Sequence, residues 1–178
     1  MKKVAVFGNA GGGKSTLSKK LAAITNLPLY VLDKIKYCSG GTEVPDREYK
    51  CTHDEILAND QWVIDGFGSM ETLWQRLNAA DTLIYIDLPL SLHFWWVTKR
   101  FLTVFLIPPD GWPERSPLLK SSINSYRNLW LCHKYLTPKY RDYIEQVQNS
   151  KCVYHLKSSQ QIAEFLQLIE TETSTKQT

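Results

Sequence analysis

The sequence predicts an α/β fold in which helices cover both faces of a mainly parallel β-sheet. Short apolar runs typical of buried strands alternate with stretches of helical spacing along the whole chain, and this alternation favours parallel strands joined by crossover helices. The length of 178 residues, with 43% hydrophobic and 22% charged side chains, fits one globular domain. Because ligands of such folds bind at the carboxyl ends of the strands, we expect the functional residues there.

In the first half of the chain, apolar runs and helical spacing alternate regularly. Leu17, Leu21 and Ile24, for example, recur at helical spacing soon after an uninterrupted apolar run. In order, the predicted elements are a strand at 3–7, a helix at 15–25, a strand at 29–32, a helix at 46–59, a strand at 62–64, a helix at 69–78 and a strand at 83–86.

The second half begins with an aromatic helix predicted over 90–106. Lys99 and Arg100 lie near its centre, where each charge would cost about 2.5–3.5 kcal/mol in a bilayer, so we do not expect the helix to span a membrane. Residues 107–117 contain four of the eight prolines and predict a loop. The remaining predicted elements are helices at 118–135 and 139–148, a strand at 153–156 and a helix at 160–169.

Composition and the N-terminal sequence restrict the class of protein. A formal net charge of +3 is too small by itself to indicate a nucleic-acid or membrane partner. Four scattered cysteines without a C-x-x-C pair argue against a zinc ribbon and against a disulfide framework. The first residues lack the long apolar core and cleavage site of a signal peptide. We therefore expect a cytoplasmic protein with one domain at 1–170 and a flexible polar tail at 171–178.

A glycine-rich motif joins the first predicted strand to the first predicted helix. Residues 8–15 read Gly-Asn-Ala-Gly-Gly-Gly-Lys-Ser and match the pattern G-x-x-x-x-G-K-[ST]. Glycines allow successive backbone N–H groups to face an anion at a helix N-terminus, while Lys14 reaches the β- and γ-phosphates and Ser15 ligates Mg²⁺. The predicted nucleotide-binding residues are Gly8, Asn9, Ala10, Gly11, Gly12, Gly13, Lys14, Ser15 and Thr16.

The sequence lacks the motifs that would indicate nucleotide hydrolysis. It contains no N-K-x-D motif, with which GTPases read the base. Asp65 and Asp87 follow apolar runs, but neither is followed by the glutamate that polarises water in many transport and motor ATPases. This pattern favours transfer of a phosphoryl group to a bound acceptor over hydrolysis.

Four segments together resemble the adenylate kinase-like small P-loop kinases. They are the motif at 8–15, Leu32-Asp33, Val-Ile-Asp-Gly-Phe at 63–67 and the stretch 81–89. Within that family the chain is similar to the branch labelled DNA topology modulation protein, and the resemblance covers roughly the first half of the chain. It implies a three-layer P-loop NTPase fold with a five-stranded parallel sheet in the order 2-3-1-4-5, a lid after the fourth strand, and ATP with Mg²⁺ as cosubstrates.

The resemblance also implies roles for residues in the second half of the chain. The lid would comprise about residues 107–117, and Arg100 lies where such kinases place a basic residue against the adenine or the phosphates. Between residues 88 and 142, eight Lys or Arg residues stand against three acids, as a cationic lid closing on a triphosphate would require; a solvated basic face would produce the same excess. We expect Arg115 and Arg127 to contact the phosphates from the lid.

Three acids are candidates for the remaining chemistry. Asp65 follows an apolar strand that we expect beside residues 8–15, here called the phosphate loop. We therefore expect Asp65 to hold Mg²⁺ through bound water. Asp33 ends a strand at the ligand-binding edge, where it either accepts the proton of the acceptor hydroxyl or hydrogen-bonds the acceptor; a cap or loop carboxylate is the alternative. For Asp87, capping of the following helix is at least as good an explanation. The predicted catalytic residues are Lys14, Asp33, Asp65, Arg115 and Arg127.

One departure from the family pattern concerns the phosphoryl acceptor. Adenylate kinases follow Asp-Gly-Phe with Pro-Arg, whose arginine binds the acceptor phosphate, whereas Gly68-Ser69 stands at that place here. Either the acceptor lacks a phosphate or another cation binds it, and the candidate cations are Lys34, Lys36, Arg47 and Arg76. The expected acceptor is a nucleoside, a nucleotide or a related small metabolite.

Two other functions are compatible with the sequence. A nucleotide-binding regulatory protein would contact DNA or a protein partner through the basic residues after Arg100, although no helix-turn-helix or other reader motif is present. A peripheral membrane ATP-binding protein would use the helix that carries Trp95 and Trp96. An ATP-dependent kinase of a small molecule is the leading hypothesis.

Overall fold

Five strands and eight helices follow one another in the described part of the chain, which in this computed structural model comprises residues 1–38, 41–103 and 118–176. The strands are β1 (Lys3–Gly8), β2 (Leu29–Val31), β3 (Trp62–Asp65), β4 (Thr82–Ile86) and β5 (Cys152–Leu156). The helices are α1 (Lys14–Thr25), α2 (Leu32–Lys36), α3 (Asp46–Ala58), α4 (Met70–Ala79), α5 (Leu90–Thr103), α6 (Leu118–Tyr135), α7 (Thr137–Val147) and α8 (Ser159–Lys176).

The strands form one parallel sheet in the order β2-β3-β1-β4-β5. The central strand β1 pairs with β3 on one side and with β4 on the other, so that Val4 lies opposite both Val63 and Thr82. A strand covered on both faces needs a continuous apolar run, which is what β1 has. The predicted parallel sheet and its strand order are confirmed.

Each face of the sheet is covered by its own apolar layer. On one face Phe7 stacks on Tyr85 with ring centroids 5.1 Å apart, and Tyr140 of α7 meets both rings edge-on, as the quadrupoles of aromatic rings favour. On the other face, Leu21 of α1 and Phe165 of α8 belong to a separate buried cluster. The two layers complete the predicted three-layer architecture.

The structure differs from the sequence prediction at two elements. The sequence pattern does not predict α2, because a five-residue helix has too few positions to show a period; β2 therefore ends at Val31, and Asp33 lies in the first turn of α2. Helix α8 continues to Lys176, past the predicted end at residue 169. Hydroxyl side chains in this last part, such as Thr171 and Thr175, donate to carbonyl oxygens four residues earlier. The polar composition of this segment therefore does not predict the helix that it forms.

The predicted loop and lid at 107–117 lie outside the described residues. The flexibility predicted for the tail at 171–178 stays a prediction. None of the helices in the described ranges is both long enough and apolar enough to cross a membrane.

Candidate active site

The phosphate loop connects β1 to α1 through a backbone that requires glycine at both ends. Gly8 and Gly13 have φ angles of 137° and 76°, and a Cβ atom on Gly8 would collide with the carbonyl oxygen of Ile86. The N-cap residue of α1 is Gly13, and no side chain caps the helix there among the residues that the structure describes. The N–H groups at that end of the helix are therefore left for an anion, which the helix dipole also favours.

Asn9 and Lys14 hold the phosphate loop in shape. Asn9 is 5% exposed, its Oδ1 accepts a hydrogen bond from the Ala10 N–H, and its Nδ2 donates to the Leu129 carbonyl oxygen of α6 at 3.1 Å. Lys14 Nζ reaches back across the loop and donates to the Asn9 carbonyl oxygen at 2.7 Å. Asn9 thus fixes the phosphate loop to α6, and the Lys14 ammonium group is held against the backbone of the same loop.

Helix α5 supports the phosphate loop from the other side. His93 Nδ1 lies 2.7 Å from the Ala10 carbonyl oxygen, and because a carbonyl only accepts, Nδ1 carries the proton. Burial lowers the pKa of His93, which favours the neutral imidazole. Trp96 and Val97, a turn further along, pack against the loop glycines. In the sequence, the spacing of residues 93, 96 and 97 on one helix face is the signal for this contact.

Two carboxylates lie beside the phosphate loop: buried Asp65 at the carboxyl end of β3, and half-buried Asp33 in the first turn of α2, just beyond β2. Asp65, the last residue of β3, is 1% exposed, and neither of its carboxylate oxygens has a hydrogen-bond partner among the described residues. Burial and the charge of Asp65 raise the pKa of Asp33, and the Lys14 ammonium lowers it. The structure therefore brings Lys14, Asp33 and Asp65 into one electrostatic neighbourhood. A buried carboxylate without a partner is costly, so its retention indicates a position that a ligand completes.

Residues 66–68, here called the glycine loop, follow β3 and pass close to Asp33. Gly66 and Gly68 have φ angles of 105° and 67°. A Cβ atom on Gly66 would lie 3.1 Å from Asp33 Oδ1, and one on Gly68 would collide with the Tyr49 hydroxyl. The same hydroxyl hydrogen-bonds Thr72 Oγ1 at 3.2 Å, so α3 and α4 both hold the glycine loop.

The structure corrects the hypothesis that Arg76 binds an acceptor phosphate. Its side chain is fully buried in α4. The guanidinium donates to the carbonyl oxygens of Phe67 and Gly66, at 3.1 and 2.5 Å. Because these bonds face the protein's own backbone, Arg76 is not a phosphate ligand in this structure.

The other candidate cations for the acceptor are distributed differently. Lys36 Nζ donates to the Gly68 carbonyl oxygen at 3.1 Å and lies 3.8 Å from Glu43 Oε2, so it also contacts the glycine loop. Lys34 and Arg47 are exposed to solvent. These two remain available as cations for an acceptor.

Asp87 belongs to a side-chain network and not to a helix cap. Its carboxylate accepts hydrogen bonds from Nε and Nη2 of Arg141 at 2.9 and 3.0 Å, and from Nε2 of His155 at 2.9 Å. These bonds lower the pKa of Asp87 although burial raises it. Helix α5 begins at Leu90, so Asp87 is not its N-cap residue, and the Asp87 carboxylate instead joins β4, β5 and α7.

A cavity of about 310 Å³ adjoins the N-terminal end of α1. Its lining is mostly apolar and comes from three helices, with Gly13 and Thr16 from α1, Trp96 from α5, and Ser159 and Ile162 from α8. The cavity begins next to the phosphate loop, on the side of Thr16. Sequence reasoning did not find it, because it depends on how three separate helices pack.

The arginines expected around the phosphates are only partly described. Arg127 lies on α6 with an exposed side chain, two residues before the Leu129 carbonyl that holds Asn9. The side chain of Arg100 and the whole of Arg115 lie outside the described residues. Their predicted contacts with the nucleotide stay predictions.

The strand order β2-β3-β1-β4-β5, with the phosphate loop between β1 and α1, is the predicted P-loop kinase fold. No protein-family model and no curated protein matches this chain. Among the solved structures similar to it is shikimate kinase from Acinetobacter baumannii in complex with shikimate, with a TM-score of 0.59 and 16% sequence identity over 97% of this chain and 94% of that chain. This likeness shows the fold. Membership of the branch labelled DNA topology modulation protein stays a prediction from the sequence.

Proposed function

We propose that this protein is an ATP-dependent phosphotransferase that moves the γ-phosphoryl group of ATP to a small-molecule acceptor. The observation that carries the proposal is the placement of the Asp65 carboxylate, which has no partner in the described part of the chain, and of Asp33 beside the Lys14 ammonium at one edge of the sheet. The fold shared with shikimate kinase, a kinase solved with the small molecule shikimate, supports an acceptor of that size.

The phosphate loop would hold the triphosphate. The uncapped first turn of α1 offers backbone N–H groups to the phosphate oxygens, and Lys14 would exchange the Asn9 carbonyl oxygen for the β- and γ-phosphates. Because His93 and Asn9 already fix the loop to α5 and α6, little ordering remains to be done when the nucleotide binds.

The residues present also fit a Mg²⁺ ion that binds together with the nucleotide. Mg²⁺ prefers oxygen ligands, keeps several waters and commonly takes one or two carboxylates plus substrate phosphates. Ser15 would ligate it directly and Asp65 through water. The described residues contain no group of three or more His, Cys, Asp or Glu side chains that could hold a metal alone, which accords with a site completed by phosphates. When bound, the ion neutralises charge on the phosphates.

Asp33 would serve as the general base. As the acceptor oxygen forms its bond to the γ-phosphorus, the bond to the β-γ bridging oxygen breaks and ADP leaves, while the hydroxyl proton passes to the Asp33 carboxylate. Burial raises the pKa of Asp33, which brings a carboxylate closer to the range in which a base works best near neutral pH.

The cavity between α1, α5 and α8 would receive the base of the nucleotide. Its apolar lining suits a planar aromatic ring, Trp96 offers a ring to stack on, and Thr16 and Ser159 offer hydroxyl groups at its edge. An acceptor on the opposite side of the phosphate loop, beside Asp33, would then leave room for both substrates.

A metabolite screen tests the proposal. The purified protein is mixed with MgATP and a panel of nucleosides, nucleotides and related metabolites, and ADP formation is followed, with Lys14→Ala as the inactive control and Lys139→Ala as a matched control at an exposed position. We expect one chemical class of acceptor to stimulate ADP formation in the wild type and in Lys139→Ala only. MgATP binding by Lys14→Ala as tight as that of the wild type would contradict the assignment of the phosphate loop. Salt-dependent DNA retention without any active acceptor would favour the regulatory alternative.

A further inference from the structure

Arg76 is a buried charge whose hydrogen-bond partners are uncharged. Its side chain is 0% exposed, and its two terminal nitrogens donate to the Gly66 and Phe67 carbonyl oxygens. Its Nε has no partner among the described residues. Removing a guanidinium from water costs several kcal/mol. A neutral donor would satisfy two carbonyl oxygens at lower cost, so the charge itself calls for an explanation.

The charges that act on the Arg76 guanidinium include those of the two site carboxylates. Asp33 and Asp65 both act on the Arg76 guanidinium, and Arg76 in turn lowers the pKa of Asp33. The positive charge of Arg76 therefore offsets two carboxylates that repel each other.

The glycine loop links Arg76 to Asp33 through the backbone. Arg76 holds the carbonyl groups of Gly66 and Phe67, and the backbone N–H of Phe67 helps to lower the pKa of Asp33, although burial and Asp65 raise it overall. Gly66 approaches Asp33 so closely that a Cβ atom would lie 3.1 Å from Oδ1. A shift of the glycine loop by a few tenths of an ångström would therefore change its contact with the Asp33 carboxylate.

We infer that Arg76 is a positioning residue that acts through the glycine loop: it holds the loop so that the Phe67 N–H orients the Asp33 carboxylate toward the acceptor. The inference rests on the role proposed for Asp33. It differs from a purely structural role, in which Arg76 would stabilise α4 and the core without any particular relation to Asp33.

Hydrogen exchange of backbone amides tests the link without any substrate. In Arg76→Lys, which keeps the charge but lacks the planar two-nitrogen fork, the Phe67 amide is expected to exchange at least about tenfold faster, while the amides of Leu73 and Leu77 in α4 change by less than about twofold. Asp33→Asn is expected to accelerate Phe67 exchange as well. Arg141→Lys is the matched control and should leave Phe67 unchanged. Unchanged exchange in both Arg76→Lys and Asp33→Asn would overturn the inference.

A double-mutant cycle tests the consequence for catalysis, using MgATP and the acceptor identified in the metabolite screen. Arg76→Lys is expected to lower kcat about tenfold or more and to leave the Kd for ATP within about twofold. In the Asp33→Asn background the same substitution should cost less than about threefold, because residues that act through one another are not additive. Equal losses in both backgrounds would overturn the inference.

Two provisions keep the experiment decisive. Should Arg76→Lys not fold, Gly66→Ala disturbs the same contact from the side of the loop, and it is expected to reproduce the faster Phe67 exchange and the non-additivity with Asp33→Asn. Should the screen find no acceptor, the proposed function fails, but the exchange result still decides whether Arg76 positions Asp33. The two failures are therefore distinguishable.

Discussion

Buried polar atoms without partners mark positions at which this molecule retains a costly arrangement. In the described residues Asp65 contributes two such atoms, its carboxylate oxygens Oδ1 and Oδ2. Asn at this position would have nearly the same shape but no charge. The substitution Asp65→Asn therefore separates the role of the charge from the role of packing.

We predict that Asp65→Asn lowers Mg²⁺-dependent turnover by at least about tenfold, because the carboxylate no longer orders the water shell of the metal. The affinity for ATP measured without Mg²⁺ should change less than about twofold, since the phosphate loop is untouched. Asp60→Asn, an exposed position before β3, is the matched control. Steady-state kinetics and equilibrium binding check both parts, and full turnover by Asp65→Asn would show that the carboxylate is only structural.

We also predict the direction in which Asp65 affects its neighbour. The pKa of Asp33 is raised by burial and by the charge of Asp65, so the folded protein binds this proton more tightly than the unfolded chain. Asp33 accordingly opposes folding at neutral pH, and this penalty disappears as the pH falls through the raised pKa. In Asp65→Asn the Asp33 carboxyl should titrate at a lower pH than in the wild type, whereas Asp60→Asn should not move it. Carbon NMR of the aspartate carboxyl groups measures the midpoints, and equal midpoints would contradict the prediction.

The phosphate loop at 8–15 is predictable from sequence because its residues are consecutive and match a motif. Asp33 and Asp65 are predictable as candidates because each follows an apolar strand. The role of Arg76 is not predictable from the sequence. Nothing in the neighbouring residues distinguishes an arginine on α4 that faces solvent from one that is buried against the glycine loop. That distinction depends on the packing of α4 against α3 and β1, of which β1 lies far away in the sequence.

Helix α5 and the phosphate loop form one structural unit at the scale of elements. His93, Trp96 and Val97 present one face of α5 to the loop, and Trp96 also lines the cavity beside α1. The next residue in the chain, Trp95, is 63% exposed. Two adjacent tryptophans thus stand in opposite environments, which provides a matched pair of variants.

We predict that Trp96→Leu weakens ATP binding about tenfold, because base–aromatic stacking is worth roughly 1–3 kcal/mol. Binding of inorganic triphosphate, which has no base, should change less than about twofold, because the phosphate loop keeps its hydrogen bonds. Trp95→Leu should affect neither ligand. Calorimetric titration of the three proteins with both ligands measures the four ratios, and an equal loss for ATP and triphosphate in Trp96→Leu would show that Trp96 only supports the loop.

Polar contacts in the described ranges join the second half of the molecule to its first, and the network of Asp87 is one of them. Arg141 and His155 reach Asp87 from 54 and 68 residues away. The strand order could be predicted from a family resemblance that covers the first half of the chain, and alternating strands and helices also follow general packing rules. The partners of Asp87 could not be predicted, because residues so far apart in the sequence leave no local pattern.

At this scale we predict that Asp87→Asn destabilises the protein at pH 7 by about 1–2 kcal/mol. This is near the lower end of the range for hydrogen bonds to a charged group, about 1.5–3 kcal/mol, because the Arg141 side chain is 57% exposed and screened by solvent. For a domain of this length the melting temperature should fall by roughly 2–8 °C.

The pH dependence of that loss identifies its origin. Burial alone would raise the pKa of Asp87, but the hydrogen bonds from Arg141 and His155 lower it overall. The contribution of Asp87 is therefore present above 3.8, the ordinary value for an aspartate, and is lost as the pH falls through the lower folded value. Urea unfolding of the wild type and of Asp87→Asn should accordingly converge as the pH falls below the folded pKa of Asp87. The matched control is Asp142→Asn, the same substitution at an exposed neighbour of Arg141, and it should follow the wild type at both neutral and acidic pH. A difference that stays constant with pH would mean that Asp87 contributes through packing, and that its charge does not hold β4, β5 and α7 together.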